Sequence, residues 1–220
     1  MKKKRVLACL LAVILFVSSI GLAAGAEEEN TKEDTLAAPS ALLMEANTGM
    51  ILYEKNPDEK RPCASITKVM TLLLVMEALD DGKIALSDMV STSEHAASMG
   101  GSDIWLKPGE SMSVDDLLKA TVIASANDAA VALAEYVAGS EEAFLDQMNQ
   151  RAKELGMTNT VFKNCNGLDE EGHVTTARDV AIMSRELIKH EKIFDYSQTW
   201  IDYLRDGQTQ LVNTNKLLKT

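Results

Sequence analysis

Cysteine and positive charge are both scarce in this chain of 220 residues. Its three cysteines are too few for a disulfide scaffold. Lys and Arg number 22 against 33 Asp and Glu, which gives a formal net charge of −11. We expect no nucleic acid partner, because binding phosphates requires a basic surface. Hydrophobic residues make up 46% of the chain, which excludes wholesale disorder and predicts one domain with or without a tail.

The first 26 residues have the organisation of a secretory signal peptide. Residues 2–5 are basic, residues 6–23 form an almost uninterrupted apolar run, and residues 24–26 have the small side chains of a cleavage site. About 18 apolar residues are also just enough to span a bilayer, so a permanent membrane anchor is the alternative. The glutamates at 27–29 favour cleavage, and we expect an exported protein.

The rest of the chain divides into a short linker and one folded domain. Residues 27–37 are polar and acidic without periodicity, which predicts a disordered linker before a domain at 38–220. Apolar segments flanking an Asn-Thr-Gly turn predict a β-hairpin over 41–54. Further expected elements are helices over 141–155 and 176–190 and a second hairpin within 201–212.

Residues 65–79 predict a buried helix with a reactive pair at its start. The apolar residues cover most of the helix circumference, which is typical of a helix inside the core. Ser65 and Lys68 are three residues apart and therefore share a face. Burial and the positive end of the helix dipole both favour a neutral amine, which would be a base beside a nucleophile. The alternative is a capping Ser65 and a Lys68 that extends to water.

A second polar pair lies within the helical pattern of residues 113–137. Ser125 and Asn127 are two residues apart, so on a continuous helix they would point to nearly opposite sides. If both serve one site, the backbone breaks there and Asn127 or Asp128 caps the next helix. The alternative is one long alanine-rich helix in which both residues are incidental.

Several other residues that could react or bind a metal are expected to have only structural roles. Three histidines lack ligand spacing and are expected at the surface, without a metal: His95, His173 and His190. Cys63 is expected to be a small buried residue, and a disulfide with Cys165 after export is left open. The acidic runs at 141–142 and 169–171 are expected to be solvated.

Taken together, the motifs resemble those of penicillin-binding proteins and serine β-lactamases. Residues 65–68 are similar to the S-x-x-K motif and residues 125–127 to the S-x-N motif of these enzymes. The wider context resembles the low-molecular-mass D-alanyl-D-alanine carboxypeptidases of peptidase family S11, from about Ala38 to the C-terminus. The segments that carry this resemblance are 62–71, 106–110, 125–130, 155–160, 166–169 and 176–179.

The resemblance implies a fold, a reaction and a set of roles. The fold is α+β, with an antiparallel sheet packed against a helical region and the site between them. The reaction removes the terminal D-alanine from peptidoglycan stem pentapeptides outside the cytoplasm, at the cell wall, without metal or cofactor and with β-lactam antibiotics as covalent inhibitors. Ser65 would be the nucleophile, Lys68 the general base and Ser125 a proton relay. Asn127 would bind the substrate amide and help to orient Lys68.

The sequence departs from this family at its third motif, K-T-G. Lys219-Thr220 has no following glycine, and we interpret it as a different segment and the chain as a fragment that ends before the motif. Such a fragment would lack substrate-binding groups, an oxyanion donor and core strands, and we expect it to be inactive by itself. Membrane association through the family's C-terminal segment is left open.

Two other functions on the same fold remain as alternatives. A class A β-lactamase would need a glutamate in an E-x-x-L-N loop, and the nearest imitation, at 142–146, begins only 17 residues after Ser125 and lies in a helical pattern. A penicillin-binding sensor without turnover would keep the acylation residues. Intact Ser65, Lys68, Ser125 and Asn127 argue against a decayed site.

Overall fold

The structure is a computed structural model that describes residues 36–219. The signal peptide predicted for residues 1–26 and most of the linker predicted for 27–37 lie outside the described residues. Within residues 36–219, no helix is both long enough and apolar enough to cross a bilayer.

Seven α-helices and eight short strands make up the described part of the chain, together with two 3-10 helices. The helices are α1 (Lys68–Asp80), α2 (Glu94–Ala97), α3 (Val114–Ile123), α4 (Asn127–Ala138), α5 (Glu141–Glu154), α6 (Ala177–Leu187) and α7 (Ile193–Ser197). The strands are β1 (Ala41–Met44), β2 (Ile51–Lys55), β3 (Arg61–Pro62), β4 (Met89–Ser91), β5 (Ser111–Ser113), β6 (Val174–Thr175), β7 (Ile201–Leu204) and β8 (Thr209–Val212). The 3-10 helices are Ala64–Thr67 and Lys216–Leu218.

The strands form four antiparallel pairs, which confirms the predicted mixed α+β class. The pairs are β1–β2, β3–β6, β4–β5 and β7–β8. Both predicted hairpins are present, and in the first Ala41 lies opposite Lys55 and Leu43 opposite Tyr53. In the described residues the pairs are not joined into one larger sheet, because no strand of one pair hydrogen-bonds to a strand of another. The sheet component therefore consists of separate short ribbons around the helices.

Helix α1 runs through the core, as its apolar circumference predicts. Met70, Leu73 and Val75 are all fully buried, although they point in different directions around the helix axis. The helix begins later than the predicted residue 65, because the chain first makes the 3-10 turn Ala64–Thr67. Such turns are common at helix N-termini, and here the turn places the Ser65 side chain at the surface while Lys68 is buried.

The predicted break between Ser125 and Asn127 is present. Helix α3 ends at Ile123, Ser125 takes a left-handed φ of 57°, and α4 begins at Asn127. The prediction that Asn127 or Asp128 caps this helix is wrong, since the N-cap is Ala126 and makes no side-chain hydrogen bond. Both polar side chains bind the loop at residues 99–106 instead.

The remaining helix predictions are confirmed with shifts at their ends. Helix α5, Glu141–Glu154, begins where predicted and is capped by the Ser140 hydroxyl. Helix α6 is shorter than the predicted 176–190, because Thr176 is its cap and the residues after Leu187 form tight turns. Helices α1, α3, α4 and α5 enclose the main hydrophobic core, which includes Leu133 and Met148.

Met148 on α5 offers a test of the core, with its neighbour Gln147 as the control. Met148 is fully buried, whereas Gln147 is exposed on the same helix. We expect Met148→Ala to lower the free energy of unfolding by about 2–5 kcal/mol, because it leaves a cavity. Gln147→Ala should change it by less than about 0.5 kcal/mol. Urea unfolding followed by circular dichroism measures both changes. Equal effects would contradict the burial of Met148 in the core.

Candidate active site

The 3-10 helix and the first turn of α1 bring Ser65 and Lys68 together. The Ser65 side chain is exposed, while Lys68 is only 3% exposed. The Lys68 Nζ atom lies 3.4 Å from Ser65 Oγ. A buried amine therefore lies within reach of a hydroxyl that a large substrate can approach from solvent.

The Lys68 amine is surrounded by neutral acceptors. Its Nζ is 2.6 Å from Asn127 Oδ1 and 2.6 Å from the backbone carbonyl oxygen of Asn166. Among the described residues, no carboxylate forms an ion pair with it. Burial lowers the pKa of Lys68 from 10.5 to about 8, and the Cys165 thiol opposes this only in part. A substantial fraction of the amine is therefore neutral near physiological pH.

Asn127 is fixed by the loop at residues 99–106. Its Nδ2 donates to the carbonyl of Gly100 over 2.6 Å, and its backbone N–H donates to Ser102 over 2.7 Å. These bonds orient the amide so that Oδ1 faces Lys68. Gly101 is at φ +84°, and a Cβ there would lie 2.9 Å from Asn127 Nδ2. The loop can approach Asn127 this closely only with glycine at that position.

Asp128 braces the same loop from the neighbouring position on α4. Its buried carboxylate accepts hydrogen bonds from the backbone N–H groups of Ile104 and Leu106 and from Ala129. Between them, Trp105 has a left-handed φ of 54° and a largely exposed side chain. Asn127 and Asp128 thus share the task of holding one loop, which explains why neither caps α4.

Ser125 occupies the turn next to these groups but is not joined to them. Its left-handed backbone costs a non-glycine residue about 1–2 kcal/mol, and such strain is commonly retained at functional sites. Within residues 36–219 no hydrogen bond links its side chain to Ser65, Lys68 or Asn127. The structure therefore brings three of the four predicted site residues into contact and places the fourth two residues away from Asn127.

The segment 164–168 completes the site and was not assigned a role from the sequence. Helix α1 binds two of its consecutive carbonyls, since Thr71 Oγ1 donates to Cys165 over 2.6 Å and Lys68 donates to Asn166. The Asn166-Gly167 dipeptide is a turn signal that marks a sharp change of direction here. Sequence spacing gives no sign that a backbone carbonyl of this turn reaches a lysine 98 residues away.

Gly167 packs directly on the backbone that carries Ser65. It has a φ of +90°, and a Cβ on it would lie 2.0 Å from the Ala64 carbonyl oxygen and 2.9 Å from the Ser65 nitrogen. Ala64 itself is at a left-handed φ of 45°. The turn at 164–168 therefore packs closely against the strained peptide just before Ser65, and this contact helps to set the position of Ser65.

The prediction that Glu141 is solvated is wrong, because its carboxylate connects helix α2 to the turn at 164–168. One carboxylate oxygen accepts the N–H of Cys165 over 3.1 Å, and the other lies 2.6 Å from His95 Nε2. Burial raises its pKa, but the bonds to His95 and Cys165 outweigh burial and leave the pKa below its ordinary value. The neighbouring segment 142–146, the nearest imitation of a β-lactamase loop, lies inside α5.

The prediction that His173 lies at the surface is wrong. The residue is only 4% exposed, and its Nε2 is 2.7 Å from the buried Thr67 hydroxyl. The polar residues around it in the sequence suggested solvent, but both ring nitrogens have partners inside the protein, which removes the cost of burying them. His95 is exposed, as predicted, and His190 is partly buried against Asp80.

Cys63 and Cys165 are both buried and free, so no disulfide joins them. The prediction that Cys63 is a small buried residue is confirmed. Burial raises its pKa to about 11, and the Thr67 hydroxyl opposes this only in part. Such a thiol is almost entirely protonated at neutral pH and is a poor nucleophile compared with a thiolate. Of the two side chains, the exposed Ser65 hydroxyl, 3.4 Å from the Lys68 amine, is better placed to act as a nucleophile than the buried thiol.

Comparisons with known proteins place the chain in one family. The family model of peptidase S11, described as D-alanyl-D-alanine carboxypeptidase, matches residues 27–220. The D-alanyl-D-alanine carboxypeptidase DacF of Bacillus subtilis is 52% identical over 98% of this chain and 57% of its own length. DacC of Escherichia coli is 45% identical over 84% of this chain and 49% of its own length. The chain therefore spans about half the length of the curated relatives it matches.

Solved penicillin-binding proteins have the same fold. Penicillin-binding protein 5 of Haemophilus influenzae is similar with a TM-score of 0.78 and 34% identity, covering 83% of this chain and 54% of that protein. Penicillin-binding protein D2 of Listeria monocytogenes, solved in its ampicillin-bound form, has a TM-score of 0.73 and 32% identity, covering 84% and 75%. These structures confirm the β-lactamase/transpeptidase-like fold of the chain.

Alanine substitutions at Gly167 and Gly207 distinguish the cost of backbone strain from the cost of the close contact at the site. Both have a φ near +90°, but a Cβ at Gly207 meets nothing within 4 Å, whereas one at Gly167 overlaps Ala64. We expect Gly207→Ala to lower the free energy of unfolding by about 1–2 kcal/mol through φ alone. Gly167→Ala should lower the free energy of unfolding by a further amount of about 1–3 kcal/mol, which is the usual range for overpacking. Thermal unfolding of both variants measures the difference, and equal losses would refute the close packing.

Proposed function

We propose that this chain, which belongs to the D-alanyl-D-alanine carboxypeptidase family (peptidase S11), forms the acylation site of a serine D,D-carboxypeptidase. The substrate is the D-alanyl-D-alanine end of a peptidoglycan stem pentapeptide, and the product is the stem shortened by one D-alanine. The observation that carries the proposal is the Lys68 amine, buried among neutral acceptors and 3.4 Å from the exposed Ser65 hydroxyl.

The neighbours of the Lys68 amine match the two N–H bonds and the lone pair of its neutral form, which supports its role as the base. A neutral amine has two N–H bonds and one lone pair. The two shortest contacts, to Asn127 Oδ1 and to the Asn166 carbonyl, can each accept one N–H. The lone pair is then left for the third neighbour, the Ser65 hydroxyl, which can donate its proton to it. The two carbonyl groups therefore orient the base as well as binding it.

Acylation follows from this arrangement. Ser65 Oγ attacks the carbonyl carbon between the two D-alanines while its proton moves to Lys68 Nζ. The negative charge on the carbonyl oxygen is stabilised by the Ser65 backbone N–H, which lies in the first turn of the 3-10 helix, where N–H groups lack partners within the helix. The peptide C–N bond then breaks, and the terminal D-alanine leaves with a proton.

Ser125 and Asn127 take the two remaining roles. Ser125, in the turn next to the site, relays the proton from Lys68 to the leaving amine, and Lys68 is neutral again. Asn127 hydrogen-bonds the amide of the substrate through its carboxamide and holds Lys68 at the same time. Both roles are consistent with the break between α3 and α4, which puts the two residues on one short turn.

Deacylation returns the enzyme to its initial state. A water molecule adds to the ester carbonyl and gives a proton to Lys68, the C–Oγ bond breaks, and Ser65 Oγ recovers that proton. The shortened stem peptide leaves as a carboxylic acid. No metal or cofactor takes part in the proposed steps.

Inhibition and location follow from the same proposal. Penicillin-binding protein D2 of Listeria monocytogenes has been solved in ampicillin-bound and cefotaxime-bound forms. We propose that β-lactams acylate Ser65 of this protein as well, because they present a reactive amide in the place of the D-alanyl-D-alanine bond. The protein acts outside the cytoplasm, where peptidoglycan stems are found, after export by the N-terminal segment.

Labelling with penicillin tests the nucleophile and the base. The complete gene product is incubated with a fluorescent penicillin and with a D-alanyl-D-alanine peptide. We expect label on Ser65 and release of D-alanine, both abolished in Ser65→Ala and Lys68→Ala and unchanged in the exposed controls Ser91→Ala and Lys153→Ala. Rapid penicillin hydrolysis would instead indicate a β-lactamase, and labelling without turnover of either substrate a sensor.

The pH dependence tests the protonation state of Lys68. A pKa of about 8 leaves about a quarter of the amines neutral at pH 7.5, against about one in a thousand for an ordinary lysine. Because the neutral amine is the base, the acylation rate of Ser65 should rise with pH and level off above about pH 8. Stopped-flow measurement with a fluorescent penicillin gives this profile. A rate that falls as pH rises from 6 to 8 would contradict the assignment of the base.

A further inference from the structure

We propose that His173 is a positioning residue for acylation: through the Thr67 hydroxyl it connects the 3-10 helix carrying Ser65 to the segment 163–173, and protonation of the ring at Nδ1 disturbs this connection. The inference rests on the proposed function, since it concerns the rate at which Ser65 is acylated. His173 lies just before β6, outside the elements that carry Ser65, Lys68 and Asn127.

The contacts of the ring determine which nitrogen carries the proton. The backbone N–H of Lys163 points at His173 Nδ1 over 3.3 Å, and an amide nitrogen can only donate. Nδ1 is therefore the acceptor, and in the neutral ring Nε2 carries the hydrogen. That hydrogen points at Thr67 Oγ1, 2.7 Å away. The Thr67 hydroxyl in turn interacts with the Cys63 thiol.

These contacts connect the two halves of the site. Thr67 belongs to the 3-10 helix with Ser65 and directly precedes Lys68. Lys163 and His173 are at the two ends of the segment that supplies the Asn166 carbonyl to Lys68 and presses Gly167 against Ala64. One buried imidazole therefore connects the helix that carries the nucleophile to the turn that holds the base.

Protonation of the ring would disturb this connection. A proton on Nδ1 would face the Lys163 N–H, so two donors would oppose each other inside the protein. The acidic groups near the ring, Asp169 and Glu170, favour the charged form, while burial opposes it and lowers the pKa of His173 below its ordinary value. Glu171 lines the same pocket as the ring, and the Cys63 thiol, which also lines it, is neutral at the pH concerned. The charged ring is thus poorly accommodated at Nδ1, and the segment 163–173 must shift to solvate it.

The dependence of the acylation rate on pH distinguishes a positioning role of His173 from a merely structural one. If only Lys68 titrates, the logarithm of the acylation rate falls by one unit per pH unit on the acid side. If His173 must also be neutral, the slope approaches two at pH values below the pKa of His173, because two protons must then be lost. A residue that only stabilises the fold would not change this slope in the pH range where the protein stays folded.

The variants are His173→Gln, His173→Leu and Thr67→Val in the complete gene product. Glutamine keeps an N–H donor for Thr67 and does not titrate, whereas leucine has no donor. His190→Gln is the matched control, because His190 binds Asp80 at the far end of α1. Acylation by a penicillin with a pH-insensitive dye is measured from pH 4.5 to 9, with circular dichroism as a check on folding at each pH.

We expect wild type and His190→Gln to show the steeper acid slope and His173→Gln to lose it while keeping the rate at pH 8.5. His173→Leu should be about tenfold slower at pH 8.5, because the buried Thr67 hydroxyl loses a partner. In a double-mutant cycle, Thr67→Val should add little to His173→Leu, since each removes the same contact. If leucine prevents folding, the glutamine and valine variants still decide the question.

Two results would overturn the inference, and they differ in what else they refute. A wild-type protein labelled at Ser65 whose acid slope is the same in His173→Gln would refute the role of His173 alone. A wild-type protein not labelled at Ser65 at any pH would refute the proposed function and this inference with it.

Discussion

The site depends on one electrostatic constraint: the Lys68 amine is removed from water, and no carboxylate within residues 36–219 forms an ion pair with it. A buried charge without a partner is costly, and the neutral form of the amine is therefore favoured. The apolar circumference of α1 imposes the burial, and the acceptors from Asn127 and Asn166 supply hydrogen bonds without supplying charge. If a carboxylate replaced either acceptor, it would favour the protonated form of the lysine.

The acceptors of Lys68 come from turns that are themselves held by backbone contacts. The loop at 99–106 is fixed by Asn127 and Asp128, and the turn at 164–168 is fixed by α1 and by Glu141. Hydrogen bonds between these groups join residues that are far apart in the chain. The geometry at Ser65 consequently depends on the loop at 99–106 and the turn at 164–168 as well as on the S-x-x-K helix.

The sequence predicts well what depends on local spacing. Ser65 and Lys68 lie on one helical turn, the break at Ser125 is required by a spacing of two, and both hairpins follow from their turns. It predicts poorly what depends on distant partners. His173 is buried because Thr67 binds it across 106 residues, and the Asn166 carbonyl has no side chain to reveal it. The cap of α4 was missed for the same reason, since the side chains expected to cap it bind a distant loop.

The contact between Gly167 and the Ala64 carbonyl has a consequence for how such a protein can evolve. Substitutions usually explore a site by changing side chains while the backbone stays in place. Here a side chain added at Gly167 would overlap the Ala64 carbonyl, so side-chain substitution has nothing to vary at that point. A change at this point of the site therefore requires the backbone itself to move.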